Sequence, residues 1–224
     1  MIMSSLFDKV IACAGKIEKQ LRESGEVVEV RPNSKINSND IVFTSSRYRR
    51  AHISTIDARE SKKLYLLHVT IFPHTNDSSP IYGFDIVCGP TKVSGAFHDY
   101  SASGDQNHPM CRWFANKVAG IDWNKPRDLP EWARYIFSNH MVAIGAVNSE
   151  ELDEFIDVGL TTLKYYLDTV GDTQEWPNDY HMSHNRYCYY QKQNPRTPAS
   201  LQHLGFTEEE AKAYVQEMLF PEIG

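Results

Sequence analysis

Two side chains stand out because strand interiors seldom hold them: His68 in LYLLHVTIF and Asp85 in IYGFDIVC. Both interrupt runs of β-branched and aromatic residues, and the PHTNDSSP stretch between the runs is turn chemistry. Pairing Phe72 with Ile81 across that loop sets His68 opposite Asp85 in an antiparallel ladder, with Cβ atoms about 5 Å apart on one face. Alternation puts Leu64, Leu66, Thr70 and Phe72 on the face of His68, and Ile81, Gly83 and Val87 on that of Asp85. Gly83 is expected to leave open space beside the carboxyl. An imidazole and a carboxylate facing each other in an apolar sheet form a coupled pair that can hold or deliver a proton near neutral pH. The plainer alternative is a satisfied structural hydrogen bond. A third is a two-histidine, one-carboxylate iron site, if His52 joins them.

Other candidates follow from register. A turn centred near residue 60 places His52 opposite His68, with Ser54 on the same face. A two-residue turn at Pro90-Thr91 pairs Val87 with Ser94 and brings Ser94 to the Asp85 face. Arg127 in KPRDLPEW and Arg196 in QNPRTP lie beside prolines that fix loop geometry. Two such cations at a pocket mouth suit a ligand with two carboxylates, which guanidinium grips bidentately. His181 and His184 form an i, i+3 pair that solvent exposure explains better than metal.

The elements that must position these groups can be read in outline. Hydrophobic periodicity predicts a helix over Ser5–Glu23, capped by Ser5 and Asp8, with Gly25 at its C′ position. Strands are expected at Val27–Arg31, Asp40–Thr44, Tyr48–Ile56, the central pair, Lys92–Tyr100 and HMVAIGAV. Short helices are expected over Met110–Ala119 and after Pro130. A long one opens at Ser149 and ends at Gly171, a polar one covers Tyr180–Gln193, and a capping box at Thr207 and Glu210 opens the last. Strands bracketed by helices predict one α/β domain over 1–224, a three-layer α/β/α sandwich around a mostly antiparallel sheet.

Composition narrows the function classes. The 224 residues carry 41% hydrophobic and 23% charged side chains, an ordinary globular profile, and a net charge of −6 argues against a nucleic-acid binder. A basic cluster, Arg47, Arg49, Arg50, Arg59, Lys62 and Lys63, is expected near one end of the sheet. The four cysteines form no CxxC and sit in core-like surroundings, which predicts reduced thiols in a cytosol-like compartment. The first helix is amphipathic rather than a signal-peptide core, and no run approaches the ~20 apolar residues of a membrane span.

With these residues in view, the chain resembles the ferredoxin-dependent bilin reductases. The resemblance is carried by YRRAHIS, LLHVTIFP, IYGFDIVCGPTKVSGAF, PRDLPEWARYIFS, NHMVAI, YYQKQNPRT and QEMLFPEI, from about Arg47 to Phe220. It implies an α/β/α sandwich that binds biliverdin IXα between the sheet and the C-terminal helices. It also implies no bound metal or organic cofactor, with single electrons supplied by a reduced 2Fe–2S ferredoxin. The family's essential histidine and aspartate fall on His68 and Asp85. Its substrate-binding positions fall on His52, Ser94, Arg127, Asn194 and Arg196, the last a lysine in the family. One departure stands out. The phycocyanobilin-forming members carry a glutamate that closes an HLE triplet and serves D-ring vinyl reduction, and here the triplet is His52-Ile53-Ser54. A serine hydroxyl is a far weaker proton donor than a tuned carboxylic acid. The expected product is therefore phycoerythrobilin, by way of 15,16-dihydrobiliverdin, with phycocyanobilin or a two-electron product as alternatives. A non-haem iron oxygenase and a non-catalytic bilin carrier are the rival classes. The expected setting is a cytoplasmic monomer without nucleic-acid or membrane partners, with the basic cluster docking ferredoxin.

Overall fold

The computed structural model describes residues 5–224. In chain order the elements begin α1 (Leu6–Ser24), β1 (Glu26–Asn33), β2 (Ser38–Thr44), β3 (Tyr48–Ala58), β4 (Leu64–Pro73), β5 (Ile81–Cys88) and β6 (Val93–Ser101). Then follow α2 (Pro109–Val118), a 3-10 turn (Glu131–Tyr135), β7 (Val142–Ile144), α3 (Ser149–Thr169), α4 (His181–Gln191), α5 (Arg196–Leu204), α6 (Glu208–Tyr214) and a π-helical turn (Val215–Leu219). The strands form one seven-stranded sheet in the order β1 to β7, antiparallel throughout. Neighbours in the sheet are thus neighbours in sequence, and hairpins join all but the last pair.

Helices cover both faces. In β4 the residues Tyr65, Leu67, Val69 and Ile71 are buried against the layer that holds α1, α2 and α3. α3 lies so close to the sheet that a Cβ on Gly159 would collide with the Phe84 ring. The alternate residues Leu64, Leu66, His68, Thr70 and Phe72 face the layer built from α4, α5, α6 and the C-terminal turn. The expected three-layer architecture is therefore the observed one. The capping boxes at Ser5/Asp8 and Thr207/Glu210 are both present.

Several details differ from the sequence reading. Gly25 is extended, with φ −161°, and is not a left-handed cap. Its smallness serves close approach, since a Cβ there would collide with the Tyr48 hydroxyl. The helix expected after Pro130 is a short 3-10 turn, and α5 follows the Asn194-Pro195 break where the sequence marks none. His184 is fully buried and hydrogen-bonds Ser103 and Arg49, so the exposed-pair reading holds only for His181. The basic cluster splits. Arg47, Arg49 and Arg50 sit at the start of β3, and Arg59, Lys62 and Lys63 lie beyond its end. A strand rising about 3.3 Å per residue separates the two groups by roughly 30 Å. Arg49 lies 4.5 Å over the Phe72 ring and Arg50 donates to the Met218 carbonyl, so these two are packed into the structure.

Candidate active site

The helical layer of α4–α6 leaves a cleft of about 880 Å³ against the sheet. That volume falls in the range of about 300–1,000 Å³ typical of small-molecule sites. Its floor is the face of β3 to β6 that carries His68 and Asp85 among apolar side chains, and its walls include Trp132, Phe137, Tyr187 and Phe220.

At the centre His68 pairs with Asp85 in the β4–β5 ladder, the register expected from turn chemistry. Their side chains meet, with His68 Nδ1 2.5 Å from Asp85 Oδ1. His68 Nε2 lies 2.7 Å from the Thr70 hydroxyl. A threonine hydroxyl both donates and accepts, so this shell suits a neutral and a protonated imidazole alike. The pair is open to the cleft unequally: the His68 side chain is 16% exposed and that of Asp85 37%. Phe220 packs edge-on against His68, with ring centroids 5.6 Å apart. Gly83 does not leave free space beside the carboxyl, because the Tyr187 hydroxyl stands 3.3 Å from where its Cβ would be.

The β3–β4 register is two residues from the one expected. Ser54, and not His52, lies opposite His68, while His52 faces Thr70. The turn spans residues 59–63 with Lys63 in the left-handed region, so its centre falls one residue later than anticipated. A shift of two preserves the face, so Ser54 still borders the cleft. His52 does not. It is fully buried, its Nε2 3.0 Å from Asp40 on β2, and burial pushes its pKa down to about 4 despite the Asp40 hydrogen bond.

Ser94 also borders the cleft, by a different route from the expected one. Val87 pairs with Gly95 and Cys88 with Val93, which leaves Ser94 as the extra residue of a β-bulge. Its hydroxyl donates to the Val87 carbonyl. Arg127 runs beside β7, where its backbone N–H donates to the Ala143 carbonyl, and its guanidinium sits 5.6 Å from the Phe97 ring. A Cβ on Gly145 would come within 2.6 Å of Arg127 Nε, so glycine is what admits the side chain. Asn194 and Arg196 reach the same cleft from the start of α5, with Asn194 Oδ1 accepting the Arg196 N–H.

Sequence reasoning placed Thr70 on the His68 face but gave it no role, and it missed Asp40 and Tyr214. Thr70 carried a usable signal, two residues from His68 on one face. Asp40 is 2% exposed and accepts from the Tyr214 hydroxyl at 2.6 Å, and the Tyr214 oxygen lies 2.7 Å from Ser54 Oγ. The ladder pairs Asp40 with Ser54, Ser54 with His68, and His68 with Asp85. These four groups form one polar row across four adjacent strands, about 14 Å from end to end at roughly 4.8 Å per strand. Among the described residues no three His, Cys, Asp or Glu side chains converge as a metal site, so the trio His52, His68 and Asp85 is not such a group. All four cysteines are free and buried. No helix of the described residues is long and apolar enough to cross a membrane.

Fold and cleft together define a three-layer α/β/α protein with a cleft between its antiparallel sheet and one helical layer. The model of the ferredoxin-dependent bilin reductase family matches residues 14–221, and the chain belongs to that family. Among its relatives are two proteins named phycocyanobilin:ferredoxin oxidoreductase from Prochlorococcus marinus. The one from strain MIT 9313 is 31% identical over 77% of this chain and 66% of its own length. That from a second strain, SARG, is 32% identical, over 79% of this chain and 72% of its own length. The chain thus spans about two thirds to three quarters of these relatives. Solved structures share the fold. One, named PcyX, superposes with a TM-score of 0.72 at 24% identity, covering 96% of this chain and 99% of that one. Another is tomato phytochromobilin synthase in complex with biliverdin, with TM-score 0.73, 14% identity, and coverage of 96% and 82%.

Proposed function

We propose that this protein reduces biliverdin IXα to a phycobilin, taking electrons one at a time from ferredoxin and protons delivered through its own side chains and replenished from water. The observation that carries the reading is the His68–Asp85 pair facing a cleft of tetrapyrrole dimensions. Each electron makes the pigment more basic, and a proton from the pair traps the reduced form. Two electrons and two protons saturate one double bond. Loss of a proton from the pair leaves Asp85 anionic and accepting the His68 Nδ1–H, and the Thr70 hydroxyl turns to donate to Nε2. In this reading Arg127 and Arg196 hold the two propionates, and Ser94 and Asn194 line the path between them and the pair. His52 is buried beside Asp40 and does not touch the pigment.

Ser54 sets the product. It stands where phycocyanobilin-forming members have the HLE glutamate, and a hydroxyl there does not protonate the D-ring vinyl group. The second two-electron step then falls on the C15 methine bridge, by way of 15,16-dihydrobiliverdin to phycoerythrobilin. The names of the two relatives support phycocyanobilin as a second reading. Anaerobic turnover of biliverdin with ferredoxin and a reducing system, followed by chromatography of the pigments, separates the two. Phycocyanobilin as the main product would refute the assignment of Ser54. For ferredoxin, the exposed Lys62 and Lys63 at the β3–β4 turn form the docking charge, close to the Ile56–Leu66 edge of the cleft.

A further inference from the structure

The row of polar groups ends, at the side away from Asp85, in a buried acid that the reaction above leaves unused. We infer that Asp40 sets the direction of a hydrogen-bond chain through Tyr214 to Ser54, so that Ser54 meets the pigment as an acceptor and selects a pyrrolic N–H there over a carbonyl oxygen. The inference rests on the bilin reading of the cleft.

The direction follows from counting protons. Asp40 Oδ1 receives His52 Nε2 at 3.0 Å and the Tyr214 hydroxyl at 2.6 Å. Burial pushes the Asp40 carboxyl up, but the hydrogen bonds from His52 and Tyr214 outweigh it and hold it below the usual value. An ionised carboxylate only accepts. The tyrosine has one hydroxyl hydrogen, and it is committed to Asp40. Burial, reinforced by the nearby Asp40 charge, pushes the Tyr214 hydroxyl far up, so it keeps that hydrogen. The contact of 2.7 Å between Tyr214 and Ser54 is then made with the serine's hydrogen. What Ser54 turns to the cleft is lone-pair density.

Reversing the chain would take a donor away from a buried anion, which is costlier than losing a neutral bond. Tyr214 comes from α6 and Asp40 from β2, so the chain also ties the helical roof to the sheet. Asp40 and Tyr214 are positioning residues in this account. They act through Ser54, and they make this end of the cleft an N–H-binding end that supplies no proton.

Spectroscopic titration with biliverdin, anaerobically and without ferredoxin, tests the chain on the whole protein. Tyr214→Phe removes the acceptor for the serine hydrogen, which turns into the cleft against the pigment N–H. Binding should weaken about 5- to 10-fold. Asp40→Asn can donate its amide to Tyr214, releasing the phenol hydrogen to Ser54, and should weaken binding to a similar extent. In a Ser54→Ala background both substitutions should change the dissociation constant by less than about 2-fold, because the group they act through is gone. Equal losses in both backgrounds would overturn the inference and leave the bilin reading standing. Parent protein that binds no biliverdin would overturn both. Melting curves establish that each variant folds, and if Tyr214→Phe does not, the Asp40→Asn pair decides.

Discussion

Asp85→Asn isolates the proton from the pocket. The amide keeps the shape of the carboxylate, and its oxygen still accepts the His68 Nδ1–H that now reaches Asp85 at 2.5 Å. Biliverdin binding should therefore change by no more than about 3-fold, because the bond to His68 survives and only its charge assistance is lost. Turnover should suffer much more. Proton transfer by a positioned acid or base is worth roughly 10²–10⁴-fold, about 2.7–5.4 kcal/mol of barrier. The Asp85 side chain is 37% exposed, so water reaches the site and can replace part of the lost acid. The loss should accordingly fall near the lower end, about 10²–10³-fold. The assay is anaerobic loss of biliverdin absorbance with ferredoxin in excess, alongside a binding titration. If the asparagine variant turns over within about 3-fold of the parent, Asp85 is not the proton source and the reasoning fails.

Other expectations are as direct. Ser54→Glu places a carboxyl beside Asp40 at a position only 3% exposed. Burial and the like charge should keep it protonated near neutral pH, and the product should shift toward phycocyanobilin; an unchanged pigment pattern argues against the role of position 54. Lys62→Glu with Lys63→Glu should raise the KM for ferredoxin about 3- to 10-fold at low salt, with the difference closing above about 0.1 M, and salt-independent kinetics would remove the docking assignment. Burial holds His52 and His98 at about 4 and His184 at about 3, below their unfolded value. The unfolded chain then binds more protons than the folded one, so stability is full above about pH 6.5 and declines as pH falls toward 4. The melting temperature should begin to drop above the carboxylate range, and a flat profile from pH 6.5 to 4.5 contradicts this.

The central pair is legible in the sequence because turn residues and alternation are local signals. PHTNDSSP bounds the hairpin closely enough to set His68 and Asp85 face to face. The β3–β4 hairpin is harder, since the charged stretch at 59–63 contains no Asn-Gly or Pro-Gly pair to mark its centre, and the expected register lies two residues off. Ser94 reaches the expected wall through a bulge that replaces the expected register. The Asp40–Tyr214 bond joins residues 174 positions apart, a distance over which no periodicity speaks. His184 reads as exposed because α4 is polar along most of its length and buries only the narrow stripe of His184, Tyr187 and Cys188. The basic cluster reads as continuous because a chain taken as text conceals how far a strand carries its ends apart.

The four-membered polar row has an evolutionary corollary. Its members belong to β2, β3, β4 and β5, and the hairpin loops between these strands hold them in line. A point substitution replaces one tooth of this comb and leaves the backbone ladder intact, so reaction outcome can diversify at small structural cost. A single-residue slippage in any of the three hairpins would instead swing a tooth through the sheet, into the greasy packing beneath α1 and α3. New pigments should thus arise by exchanges along the comb, while length changes gather in the connections before β7 and between α3 and α4, where no tooth depends on them.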